Sequence, residues 1–60
     1  MSRIYAARRL LELGALTRGE FRNITGWKPS TVSAVLSRLL LGGVIKQEIG
    51  EGGLDLYVIK

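Results

Sequence analysis

Apolar residues recur with helical spacing in the first part of the chain. From Ser2 to Leu13 they stand one to four positions apart, at Ile4, Ala7, Leu10 and Leu11. This spacing predicts an amphipathic helix with its arginines off the apolar line. Ser2 belongs to the residue types that cap helix N-termini, and Gly14 follows the helix as a glycine commonly does. We therefore expect a first helix over residues 2–13.

A second, shorter helix is indicated by its start signal. Residues 17–20 read TRGE, the capping-box pattern, in which a threonine and a glutamate three positions later satisfy each other's backbone N–H groups. This pattern predicts a helix from about Arg18 to Thr25, with Phe21 and Ile24 facing inward. Gly26 is expected to end it.

The third helix is expected to begin at Pro29, because proline suits the first helical position, where its missing N–H costs nothing. It should run over residues 29–41 and stop at the glycine pair 42–43. Four apolar residues share one face at i, i+3, i+4 and i+7: Val32, Val35, Leu36 and Leu39.

After Gly43 the pattern of residues changes from that of a helix to that of β-strands. Two stretches rich in β-branched residues and leucine, Val44–Ile49 and Leu54–Ile59, flank the glycine-rich tip Gly50–Gly53. This arrangement predicts a β-hairpin. The expected fold class is mainly α with a small β-hairpin, a three-helix winged helix-turn-helix, in a single domain over residues 1–60.

Composition limits the chemistry of this domain. The 60 residues include no cysteine and no histidine, which removes disulfides, cysteine–histidine zinc sites, thiol nucleophiles and imidazole bases. The five acidic residues are scattered, and the glycines form no phosphate loop. We therefore expect no enzymatic activity, no cofactor and no metal.

Charge favours a polyanionic partner. Nine basic residues stand against five acidic ones, for a formal net charge of +4, and the pI is about 10.1. A basic excess on a small body is typical of nucleic-acid binding. The longest apolar run, Leu39–Ile45, is far shorter than the roughly 20 residues of a membrane span. The expected location is the cytoplasm, in association with the nucleoid, and the lack of cysteine fits a reducing compartment.

Two short helices joined by a glycine-containing turn form a helix-turn-helix unit, whose second helix enters the DNA major groove. The segment ITGWKPSTVS at residues 24–33, with Arg38-Leu39 and Gly43-Val44-Ile45, resembles the winged helix-turn-helix domains of MarR-type and GntR-type bacterial and archaeal regulators. The resemblance extends over residues 2–59. It implies a transcriptional regulator, such as a repressor, that binds double-stranded DNA with its third helix.

The resemblance also implies roles for individual residues. The outward face of the third helix, which meets base edges and phosphates in such domains, consists here of Ser30, Thr31, Ser33, Ala34, Ser37 and Arg38. Two further residues are expected at the sugar-phosphate backbone, Lys28 and Arg22, and the tip Gly50–Gly53 is expected near a minor groove or phosphates. Serine and threonine also favour first helical turns, so Ser30 and Thr31 have capping as a second explanation.

The chain departs from this family pattern in three places. Arg22 stands where a small alanine is usual, and an arginine there must extend toward solvent. The wing carries Glu51 and Asp55 and no basic residue at its tip. Two leucines, Leu40 and Leu41, replace charged residues. The acidic wing, the leucine pair and the modest charge of the third helix favour an alternative function, a winged helix that serves as a protein-interaction or positioning module in a larger replication or ATPase protein.

The leucine pair also suggests association. Leu40 falls at the edge of the apolar face of the third helix and Leu41 beyond it. The hairpin raises the same question, since Leu54, Leu56 and Val58 share one face while Tyr57 and Ile59 share the other. We therefore expect a homodimer, or docking on a larger protein, through Leu40 and Leu41 with part of the first helix or hairpin. Trp27 is expected to be a semi-buried plug in the core.

Overall fold

A computed structural model describes residues 2–60, which form three helices and a three-stranded antiparallel sheet. The helices are α1 (Arg3–Glu12), α2 (Arg18–Thr25) and α3 (Pro29–Leu41), and the strands are β1 (Leu16–Thr17), β2 (Ile45–Ile49) and β3 (Asp55–Ile59). A 3-10 turn, Glu51–Gly53, joins β2 to β3. The predicted fold class, a mainly α domain with a β-hairpin wing, is confirmed.

Capping interactions of nearby residues define the start of α1 and both ends of α2. The Ser2 hydroxyl accepts from the Tyr5 backbone N–H at 3.1 Å and caps α1. At α2, the Glu20 N–H donates to the Thr17 hydroxyl at 3.1 Å, and the Thr17 N–H donates to the Glu20 carboxylate at 2.8 Å. The predicted capping box is therefore present. Gly26 ends α2 with a φ of +71°, a left-handed conformation that suits glycine.

The hydrophobic core contains residues from all three helices and from both strands of the hairpin. Its nine buried residues are Ala7, Leu11, Phe21, Val32, Val35, Leu36, Leu39, Ile45 and Tyr57. The four-residue apolar face predicted for α3 is entirely buried, as expected. Trp27 is half-buried with its ring centroid 6.3 Å from that of Phe21, so the expected semi-buried plug is confirmed.

The expectation that Ile24 faces inward is wrong, because its side chain is 57% exposed. On this eight-residue helix, Phe21 and Thr25 lie one turn apart on the inner side, and the Thr25 hydroxyl donates to the Phe21 carbonyl at 2.7 Å. Ile24 points about 60° away from Phe21 around the helix axis. That side of α2 is left open to solvent.

The sheet has the strand order β1-β3-β2, so β3 is central. Tyr57 of β3 pairs with Leu16 on one side and with Gln47 on the other. The sequence did not predict β1, since residues 15–16 read as a short connection. A segment of two residues is too short to show the alternation of apolar and polar side chains that is typical of a strand. It is a strand because its backbone pairs with the edge of β3.

The two faces of the hairpin are covered differently. Tyr57 is buried, and Ile59 is partly buried against the core. On the other face Leu56 and Val58 are half-buried and lie opposite Glu48 and Lys46, whose side chains form an ion pair at 3.2 Å. The second face is thus partly screened by long charged side chains.

Among residues 2–60, no helix has the length and hydropathy that crossing a membrane requires. Within the same residues, no cluster of three or more acidic side chains is arranged to hold a metal ion.

Replacing Thr17 with alanine removes the hydroxyl that caps α2. Loss of such a cap costs about 1 kcal/mol, which for a domain of this size lowers the melting temperature by about 4–8 °C. Thr17→Ser keeps the hydroxyl and is expected to melt close to the parent. Thermal unfolding followed by circular dichroism measures both variants, and equal melting of Thr17→Ala and the parent would contradict the capping role.

Candidate nucleic-acid interface

The turn between α2 and α3 is fixed by its own hydrogen bonds. The Gly26 N–H donates to the Arg22 carbonyl at 2.8 Å, and the Trp27 N–H donates to the Thr25 hydroxyl at 3.2 Å. Trp27 then packs against Phe21. The direction in which α3 leaves α2 is therefore set by the backbone of a three-residue turn and one aromatic contact.

The N-terminus of α3 is open to a ligand. Lys28 occupies the N-cap position, and its side chain makes no capping hydrogen bond within the described chain. Pro29 has no N–H, and the first helical bond runs from the Val32 N–H to the Lys28 carbonyl at 3.0 Å. The N–H groups of Ser30 and Thr31 have no partner among residues 2–60. Free N–H groups at a helix N-terminus favour an anion.

The structure places most of the predicted interface residues on the surface. Six of the eight are exposed: Arg22, Lys28, Ser30, Ala34, Ser37 and Arg38. The other two, Thr31 and Ser33, are half-buried. Most of the exposed side chains on the outward face of α3, those of Ser30, Ala34 and Ser37, are small.

No role was predicted for Arg18 from the sequence. Its side chain lies between α3 and the β-hairpin. Its Nη1 donates to Ser33 Oγ at 2.8 Å, and its Nη2 donates to Tyr57 Oη at 3.1 Å. The guanidinium carbon is 6.0 Å from the centroid of the Tyr57 ring. One side chain on α2 thus connects α3 to β3. The Ser33 hydroxyl accepts from this arginine, so Ser33 and Arg18 must be considered together.

An open groove of about 540 Å³ lies beside this cluster. Its lining comes from β1, the first turn of α2 and the hairpin: Thr17, Arg18, Gly19, Gln47, Leu54, Asp55 and Tyr57. The groove therefore has the Arg18 guanidinium on one wall and the Asp55 carboxylate on another. This mixed charge distinguishes it from the N-terminus of α3, where no acidic residue is near in sequence.

Charge is unevenly distributed along the chain. Residues 18–38 carry four basic side chains against one acidic one, so they hold three of the four net positive charges. The acidic member, Glu20, is engaged in the capping box. The arginines of α1 at positions 8 and 9 are paired with Glu12. The basic residues of α2 and α3 form no ion pair with residues 2–60, and their charge is free to attract an anion.

The wing has the opposite sign. Residues 45–59 carry one lysine against three acidic residues, a net charge of −2. Glu51 and Asp55 are exposed near the tip, beside the exposed apolar side chains of Ile49 and Leu54. The contact of the tip with phosphate, expected from the resemblance, is therefore opposed by the charge of the wing.

Leu40 and Leu41, which were predicted to mediate association, differ in their exposure to solvent. Leu40 is half-buried and packs against the core, whereas Leu41 at the end of α3 is 89% exposed. Only Leu41 of the two is therefore left free for a partner.

Comparison of the chain with models of protein families, with curated proteins and with solved structures found no significant match.

The contact between Arg18 and Tyr57 can be measured by a double-mutant cycle. We expect Arg18→Met and Tyr57→Phe to be coupled by about 1 kcal/mol, because each variant removes one member of the same hydrogen bond. Arg22→Met is the matched control, since Arg22 forms no hydrogen bond with Tyr57. Urea unfolding gives the free energies. Strict additivity of Arg18→Met and Tyr57→Phe would show that the bond contributes nothing in solution.

Proposed function

We propose that this chain is a DNA-binding module of the winged helix-turn-helix type, which places α3 in the major groove of double-stranded DNA, as a transcriptional regulator does. The observation that carries the proposal is the concentration of unpaired positive charge on α2 and α3, where residues 18–38 hold a net charge of +3. Phosphate attraction supplies most of the affinity of such modules. The module binds and performs no catalytic step.

The N-terminus of α3 supports an approach to the DNA backbone. Ser30 and Thr31 offer free N–H groups, and Lys28 adds a charged side chain at the same end of the helix. Contacts of this kind set the register of the protein on the duplex. In this proposal Lys28 and Arg22 meet phosphates, and the first turn of α3 lies against the sugar-phosphate backbone.

Base recognition is assigned to the exposed polar face further along α3. Arg38 can donate two parallel hydrogen bonds to the O6 and N7 atoms of guanine, the commonest specific contact of arginine. Ala34 and Ser37 present small surfaces that accommodate a base edge or a thymine methyl group. Arg18 adds a positioning contact, because only two of its five N–H donors are used by Ser33 and Tyr57.

A protein-interaction module is the second candidate function. The wing favours it, because its tip combines negative charge with the exposed side chains of Ile49 and Leu54. A surface of this composition suits a basic, partly apolar protein partner better than DNA. The two functions are separated by whether the isolated chain binds duplex DNA at physiological salt.

The DNA affinity of the chain is expected to fall steeply with salt. Contacts to phosphates from Arg18, Arg22 and Lys28, the basic residues of the unit other than Arg38, imply a slope of log K against log[salt] of roughly −3. Fluorescence anisotropy with a labelled duplex at a series of salt concentrations measures the slope. A slope near zero would rule out phosphate-driven binding and favour the protein-interaction function.

Arg38→Ala is expected to weaken binding to a selected DNA site by about 1–3 kcal/mol and to relax its sequence preference, because it removes a base contact. Arg8→Ala is the matched control. It removes the same charge from α1, where Arg8 is paired with Glu12 at 3.8 Å. Both variants should melt like the parent. Equal DNA affinity of the two variants would show that Arg38 acts only through net charge.

A further inference from the structure

Two exposed apolar surfaces lie outside the proposed DNA interface. The first, which we call the α1 groove, is an open depression of about 390 Å³ lined by Ala6, Arg9, Leu10, Leu13 and Thr25. Leu13 on its edge is 86% exposed. The second is the wing tip, residues 49–55, where Ile49 is 80% and Leu54 is 61% exposed. Large side chains exposed to this degree at two places on a 60-residue body indicate contact surfaces.

The two surfaces belong to elements of opposite charge. α1 carries three arginines against one glutamate, a net charge of +2, and the hairpin over residues 45–59 has a net charge of −2. Arg9 lies in the wall of the α1 groove and shares the single carboxylate of Glu12 with Arg8, so this helix keeps an excess of positive charge. Glu51 and Asp55 flank the apolar side chains of the wing tip. Both surfaces are thus apolar, and their surroundings carry charges of opposite sign. Such complementarity is typical of surfaces that bind each other.

From this complementarity we infer that the wing tip of one molecule docks in the α1 groove of a second copy of the same chain. Leu54 enters the groove against Leu10 and Leu13, and Glu51 and Asp55 lie toward the arginines of α1. The outward face of α3 is a poorer acceptor for Leu54, because its side chains are mostly small and polar. This association goes beyond the proposed DNA binding and does not depend on it.

The contact is heterologous, since it joins two different surfaces. A dimer formed in this way keeps one free wing tip and one free α1 groove, so further copies add head to tail, into an open chain or a ring. A standard interface buries about 800 Å² on each partner, about a fifth of the 4132 Å² surface of this molecule. The wing tip has seven residues, against the roughly 20–30 that each side of a standard interface contributes, so each contact is weak and strengthens at low salt.

Sedimentation at low salt without DNA tests the inference, over protein concentrations from micromolar to millimolar. The average mass of the parent is expected to rise with concentration. Leu54→Glu in the wing tip and Leu13→Glu in the groove should each weaken association by about tenfold or more, because each puts a charge into the apolar contact between the two molecules. Leu41→Glu is the matched control, since Leu41 at the end of α3 is 89% exposed, close to the 86% of Leu13, and it should associate like the parent.

Mixing the two defective variants gives the decisive measurement. Leu54→Glu retains an intact groove and Leu13→Glu an intact wing tip, so a heterologous contact predicts a 1:1 heterodimer that grows no further. Melting curves check that both variants are folded. A parent that stays monomeric at every concentration overturns the inference, as does a mixture that forms no heterodimer. Loss of association in Leu41→Glu alone would place the interface at the end of α3 instead.

Discussion

The buried side chain of Tyr57 connects the parts of this small molecule. Its strand is the centre of the sheet, its residue pairs with β1 on one side and β2 on the other, and only 2% of its surface is exposed. Its hydroxyl, the polar end of a residue in the core, accepts a hydrogen bond from Arg18 on α2. A buried hydroxyl without a partner would be costly. The position of the wing relative to the helices therefore depends on this one aromatic residue and the arginine that satisfies it.

The helices were predictable because their signals are local. The capping box at residues 17–20, the proline at the start of α3 and the four-residue apolar face of the same helix act over one to three turns of chain. The exposure of Ile24 was not predictable from period alone. In a helix of eight residues, one large side chain, Phe21, fills the contact with the core, and the neighbouring apolar position is left outside.

The sequence predicted which residues of the candidate site lie on the surface better than it predicted the contacts between their side chains. The sequence indicated the exposed positions of α3, which follow from helical geometry. It gave no sign of the role of Arg18, because Ser33 and Tyr57 are 15 and 39 residues away in the chain. Likewise β1 has only two residues, and it is defined by backbone pairing with a strand that follows some 40 residues later. Contacts of this range depend on the packed fold.

The division of charge allows the two proposed surfaces to act independently. The molecule is 33 Å long in its longest dimension, and at physiological salt the interaction between exposed charges is largely screened beyond about 8 Å. Screening therefore limits the reach of the negative charges of the wing, and their repulsion acts mainly on an anion that approaches the hairpin itself. In the proposed complex with DNA, this repulsion would direct the duplex toward α3 and away from the wing tip. An acidic wing is thus compatible with the proposed DNA binding, since the charges that would keep DNA from the wing leave it available to a protein surface of opposite sign.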